Sequence, residues 1–120
     1  MIRRVRLYTD DTSGTALTNA SFRIHFYTAS PTQAGGASAN TGDNAALSTN
    51  QRAGYLGSMD VTLSNAFTDG AWGAGVPTVG SEIAFSLSSG QTLYVLVEAR
   101  GAYTPTSGET FSIAVDIWNN

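Results

Sequence analysis

The run Thr92-Leu93-Tyr94-Val95-Leu96-Val97-Glu98-Ala99-Arg100 constrains this chain more than any other stretch. It is almost continuously apolar and rich in β-branched and aromatic residues. Turn chemistry flanks it, with Ser88 to Gln91 before and Gly101 after. Such a run is a β-strand rather than a helix. Leu93, Val95, Val97 and Ala99 point to one face, and Tyr94, Leu96, Glu98 and Arg100 to the other. A strand apolar on one face and half-apolar on the other is expected mid-sheet, with a neighbour partly covering its second side.

The remaining strands follow from period-two alternation. Arg4-Val5-Arg6-Leu7 alternates strictly and Tyr8 extends it, before a turn cluster at Asp10-Asp11-Thr12-Ser13-Gly14. From Ser21 to Ala29, Phe22, Ile24 and Phe26 are expected inward, with Arg23, His25 and Tyr27 outward. Ser30 to Gly42 has no charged or large apolar residue and is expected to be a long surface loop, with Asn44 to Arg52 irregular. Tyr55 to Leu63 alternates again, placing Tyr55, Met59, Val61 and Leu63 on one face. Ser64 to Gly80 is expected to be a second long loop, holding Phe67 and Trp72. Glu82 to Leu87 is expected to be a strand with Ile83, Phe85 and Leu87 inward. Glu109 to Trp118 is another, with Phe111, Ile113, Val115 and Ile117 on one face. No helical periodicity appears. The expectation is an all-β chain, residues 1–120 forming one antiparallel β-sandwich of jelly-roll or Greek-key type.

The chain has 120 residues, of which 12% are charged, about half the usual share. Its six basic residues are all Arg, and Ser, Thr, Asn and Gly take the surface positions that charges normally fill. Such a surface can meet other protein over a wide area without desolvating many ions, and it also suffices for plain solubility. A net charge of −3 argues against nucleic acid as the main partner. There is no Cys, so no disulfide framework and no thiol chemistry. No apolar run approaches the roughly 20 residues of a membrane helix, and Met1-Ile2-Arg3-Arg4 leads into a strand rather than a leader's apolar core. The expectation is a soluble chain with no membrane partner.

Candidate chemistry is thin. His25 is the single His and lies mid-strand without a nearby nucleophile or second ligand, which makes it a structural residue, exposed or locally hydrogen-bonded. Glu98 and Glu109, each near a strand end beside the turn at Gly101 to Gly108, are the best pair for a glycosidase. Charged residues at strand ends are usually just solvated. Gly73-x-Gly75 has Thr78 where a dinucleotide fingerprint needs its third glycine, and no helix follows. The acidic turns Asp10-Asp11 and Gly42-Asp43-Asn44 lack an EF-hand's ligand count and spacing. No catalytic residue, metal ligand, cofactor or small-molecule substrate is expected.

Interaction residues are more visible. Arg4 and Arg6 share one face of the first strand, with Arg3 adjacent. They read either as charge guarding a sheet edge or as a stripe that docks on a neighbouring subunit's carboxylates. Trp72, among glycines, either folds back as a lid over one end of the sandwich or projects as an interface anchor. Trp72, Tyr103 and Trp118 would also serve as sugar-stacking platforms in a carbohydrate-binding module.

Several phrases, taken together, resemble a known family. Phe22-Arg23-Ile24-His25-Phe26-Tyr27-Thr28-Ala29-Ser30-Pro31 is similar to a strand of small tailed-phage virion proteins. So are Gly42-Asp43-Asn44-Ala45-Ala46-Leu47-Ser48 and Tyr55-Leu56-Gly57-Ser58. Gly90-Gln91-Thr92-Leu93-Tyr94 with Leu96, Glu98, Ala99 and Arg100, then Ala102-Tyr103-Thr104-Pro105, is the most specific match. The family is that of phage capsid decoration, or cement, proteins. The resemblance implies a small β-sandwich, commonly a homotrimer, that binds the major capsid protein on the outside of the virion head. A tail or fibre component and a carbohydrate-binding module are the alternatives.

Overall fold

The computed structural model describes residues 1–10, 19–31, 54–77, 81–101 and 103–118. Seven strands are formed: β1 (Ile2–Asp10), β2 (Ser21–Tyr27), β3 (Tyr55–Thr62), β4 (Asn65–Phe67), β5 (Gly70–Gly75), β6 (Tyr94–Ala99) and β7 (Thr110–Ile117). Every pairing is antiparallel, and the strands make a four-stranded sheet, β4-β5-β1-β7, and a three-stranded sheet, β3-β2-β6. Among the described residues there is no helix. The two sheets pack face to face as an all-β sandwich, as the alternation requires.

The core is built from the inward half of each alternating strand. Ile2, Val5 and Leu7 of β1 pack against Phe22, Ile24 and Phe26 of β2 and Met59 and Val61 of β3, and Leu63, Ala71 and Ile83 complete the cluster. All are buried. Removing this apolar area from water is the main force joining the sheets.

Residues 64–77 are not a loop: they contain β4 and β5. The glycines that argue against a strand are what let β5 form where it does. A Cβ on Gly73 would run into the Thr62 carbonyl, and one on Gly75 into the Asp60 carbonyl. These inward glycines admit the β3 backbone directly against β5, which closes that side of the sandwich. Trp72 alternates with them and faces outward.

Four further expectations are corrected. The apolar run at Thr92 to Arg100 contains β6, but β6 is an edge strand; the centre of its sheet is β2, held between β3 and β6. Glu82 to Leu87 makes only one antiparallel bridge, Ile83 to Ile2, with Ile2 N donating to Ile83 O at 2.9 Å. Tyr55 does not share the Met59 face. The β2–β3 register shifts between Phe26 and Tyr27, so Phe26 opposes Gly57 whereas Tyr27 opposes Tyr55. Gly57 has φ +141°, a conformation L side chains rarely adopt, and the bulge turns Tyr55 to the outer face. Finally, β1 has β5 on one side and β7 on the other, so its arginines guard no sheet edge. The expected loop from Ser30 to Gly42 lies outside the described residues beyond Pro31, as do the turn at 11–14 and the irregular stretch at 44–52.

Candidate interaction surfaces

The outer face of the four-stranded sheet collects three of the singled-out residues. The β1–β7 register sets Arg4 opposite Asp116. Arg4 Nε donates to Asp116 Oδ2 at 2.6 Å, and Arg6 Nη2 to Asp116 Oδ1 at 3.0 Å. The hydrogen bond from Arg4, with Arg6 adding to it, holds the Asp116 carboxyl below its ordinary range, and the same carboxylate raises Arg6. The acceptor for the arginine stripe is thus already present in its own chain. Trp72 lies two strands away, stacked on Tyr8 with ring centroids 6.1 Å apart and planes 20° from parallel. Phe67 of β4 is on the same face and exposed. Trp72 is therefore no lid over the sandwich end; it stands on the outer face of β5 beside Tyr8.

The other candidates fall elsewhere. Arg3 sits at the bulge between Ile2 and Arg4, its guanidinium carbon 4.5 Å from the centre of the Trp118 ring. Tyr103 turns into the far end of the sandwich, edge-on to Phe22 at 5.6 Å and to Phe111 at 6.0 Å. Its hydroxyl donates to Glu109 Oε2 at 2.7 Å, which also accepts from Thr106 N at 3.2 Å. Arg4, Arg6 and Trp72 share one face, Arg3 and Trp118 share one end, and Tyr103 plugs the opposite end.

The outer face of the three-stranded sheet holds a polar network that the sequence did not reveal. His25 and Tyr27 alternate outward as expected, yet they are only 3% and 1% exposed. His25 Nε2 lies 2.8 Å from Glu98 Oε2, and His25 Nδ1 lies 3.3 Å from the Tyr55 hydroxyl. With Nε2–H donating to the carboxylate, a neutral ring accepts the Tyr55 proton at Nδ1. Arg100 Nη1 donates to Glu98 Oε1 at 3.0 Å. Burial pushes the Glu98 carboxyl up, but hydrogen bonds from His25 and Arg100 outweigh it and leave it below its ordinary range. Arg23 grips Asp60 with two hydrogen bonds, Nε to Oδ1 at 2.7 Å and Nη2 to Oδ2 at 2.9 Å. Burial also raises the Tyr27 phenol. Glu98 and Glu109, the best carboxylate pair in the sequence, belong to two separate networks. Among the described residues no cluster of His, Asp and Glu is placed to hold a metal ion.

The third surface is the side of the sandwich opposite the β3–β5 closure. There the edge strands β6 and β7 lie in different sheets, and among the described residues no strand bridges them. Val97 on the inner face of β6, and Phe111, Ile113 and Ile117 on the inner face of β7, are each exposed by more than a third. Alternation marks these residues as inward. Nothing in their periodicity shows that the opposing sheet stops short of them.

No protein-family model, no curated protein and no solved structure matches this chain.

Proposed function

We propose that this chain is a virion structural protein, a capsid decoration protein that binds the outer surface of a phage head as a homotrimer and stabilises the shell. The observation that carries the proposal is a division of labour on the surface. The arginines of both outer sheet faces are tied to carboxylates in their own chain, Arg4 and Arg6 to Asp116, Arg23 to Asp60 and Arg100 to Glu98. Apolar side chains along the open edge are left in water. A surface of that kind favours burial against other protein. The phrases from Phe22 to Pro31 and from Gly90 to Pro105 that resemble decoration proteins support the same role.

A sugar-binding module needs aromatic rings on one platform. Trp72, Tyr103 and Trp118 have three different settings: Trp72 stacks on Tyr8 on an outer sheet face, Tyr103 turns into one end of the sandwich, and Trp118 lies against Arg3 at the other. Head decoration is the better supported of the two.

The experiment mixes the purified chain with undecorated heads and, separately, with tails, and measures bound copies by sedimentation and electron microscopy across a salt series. Saturable binding to heads is expected. The variant Arg4→Ala/Arg6→Ala, with its fold checked by melting, is expected to bind heads about as the parent does and with a similar salt dependence, because Asp116 already occupies both guanidinium groups. Binding to tails alone would reassign the chain to the tail or fibre. Saccharide binding on a glycan array with no binding to heads would overturn the proposal.

A further inference from the structure

We infer that the open side of the sandwich, between the inner faces of β6 and β7, is the surface by which copies of this chain join one another. The inference rests on the homotrimer of the proposed function and names the face that makes it.

Three observations select the face. Val97, Phe111, Ile113 and Ile117 are 38%, 39%, 36% and 47% exposed, and Trp118, which borders the face just past Ile117, is 52% exposed. They leave on the order of 300–400 Å² of apolar surface in water, a patch of the size that marks interaction sites. Second, among the described residues β6 and β7 are both end strands, each with a row of backbone donors and acceptors pointing away from its sheet. Third, the inner faces of Val95, Val97, Ala99, Phe111, Ile113, Val115 and Ile117 present no charged residue between the two edges.

A second copy is the occupant that fits. A free strand edge is satisfied by another strand at the same hydrogen-bond spacing, and this chain carries two such edges on one side. In a trimer the edge of one copy meets the unlike edge of the next, because pairing of like edges closes a twofold dimer instead. Such head-to-tail contact closes a ring when the rotation is right, as a cyclic trimer requires. A standard interface removes about 800 Å² per partner, a little over half of it apolar. The uncovered patch is of that order. A net charge of −3 per chain opposes self-association only weakly.

The test compares the parent with Val97→Glu and Ile113→Glu, and with Val76→Glu as a control at an exposed position just after β5, on the closed side. Mass is read by light scattering over a wide concentration range, with the fold checked by melting. The parent and Val76→Glu are expected near 37.5 kDa, three times 12.5 kDa, and the two edge variants at 12.5 kDa, a threefold fall. A second readout does not depend on those variants folding. Trp72→Phe leaves Trp118 as the sole tryptophan, and its emission is expected to shift to the blue as the protein is concentrated. Edge variants that keep the parent's oligomeric mass would overturn the inference and leave head binding standing. A parent that stays monomeric while its edge variants lose head binding would overturn it too, by giving the face to a capsid protein. A trimer that forms through this face and ignores heads would confirm the inference and sink the proposed function.

Discussion

Nε2 of His25 lies 2.8 Å from Oε2 of Glu98, and the two residues sit on neighbouring strands in the outer face of the smaller sheet. The imidazole is buried there although it alternates away from the core. A buried N–H is costly to leave without an acceptor, and the cost falls mainly on the group left behind. Replacing Glu98 alone by Leu strands the His25 N–H and is expected to destabilise the chain by about 1–3 kcal/mol. Replacing both, as His25→Leu/Glu98→Leu, is expected to recover part of that loss, because no buried N–H is then stranded and Tyr55 and Arg100, which lose a partner, are exposed enough to bond water. Denaturant melts of the parent, both single variants and the double variant measure the coupling. A double variant as unstable as the sum of the singles would mean that the contact contributes nothing.

Two inward residues that look alike in the sequence are expected to behave differently. Ile24 lies on the central strand of its sheet and is fully buried, whereas Val95 lies on the edge strand β6 and is half-buried. Ile24→Ala removes atoms from a close-packed site and is expected to cost about 2–4 kcal/mol. Val95→Ala leaves less of a cavity and is expected to cost about 1 kcal/mol. Equal losses in chemical melts would show that the β6 edge is as enclosed as the centre.

Gly73 is expected to be the least replaceable residue of β5. Alanine there would drive its methyl into the Thr62 carbonyl, backbone against backbone, and β3 would have to move. Overpacking of this kind costs roughly 1–3 kcal/mol and more where nothing can give. A Cβ at Gly101 meets nothing within 4 Å, so Gly101→Ala is expected to be near neutral. Thermal melts of the two variants side by side give the comparison. A Gly73→Ala protein as stable as its Gly101→Ala counterpart would mean that the sheets do not touch there.

Much of the fold is legible residue by residue, because period-two alternation in β2, β3 and β7 reports which side chains face the core. Neighbours are another matter. The run at Tyr94 to Ala99 is apolar on both faces near its start, which reads as a strand enclosed on both sides, yet its place is at an edge. Local pattern holds no information on which strand pairs with which. The β5 strand is hidden for a related reason. Its glycines lower strand propensity, and they make sense only once the β3 backbone is seen against them. Tyr55 is displaced by a single extra residue, Leu56, which lies between the paired Gly57 and Tyr55 and shifts the count by one. The acceptor for Arg4 stands 112 positions along the chain, at Asp116, where no spacing rule reaches. Types of residue at the surface can be read early, and their partners only from the register.

Acid is expected to be the condition this chain tolerates least. The Asp60 carboxyl is held below its ordinary value of 3.8, chiefly by the paired hydrogen bonds from Arg23, against a smaller upward push from burial. Glu98, with an ordinary value of 4.5, is also held low, the bonds from His25 and Arg100 outweighing its burial. Asp116 is lowered by Arg4 and Arg6. Each of these groups binds its proton more weakly when folded than when unfolded. The stability they contribute is therefore fully present above the unfolded values of 3.8 and 4.5 and is lost as pH falls through the lower folded ones. The melting temperature is expected to be flat with respect to these groups around neutral pH and to drop below about pH 4. Asp60→Asn removes one of the three contributions. The variant is expected to be less stable than the parent at pH 7 and to close part of that gap near pH 3. Melts of both proteins from pH 8 to pH 2.5 provide the check, and a gap between them that stayed constant over the whole range would show that the Arg23–Asp60 pair has no part in the acid response.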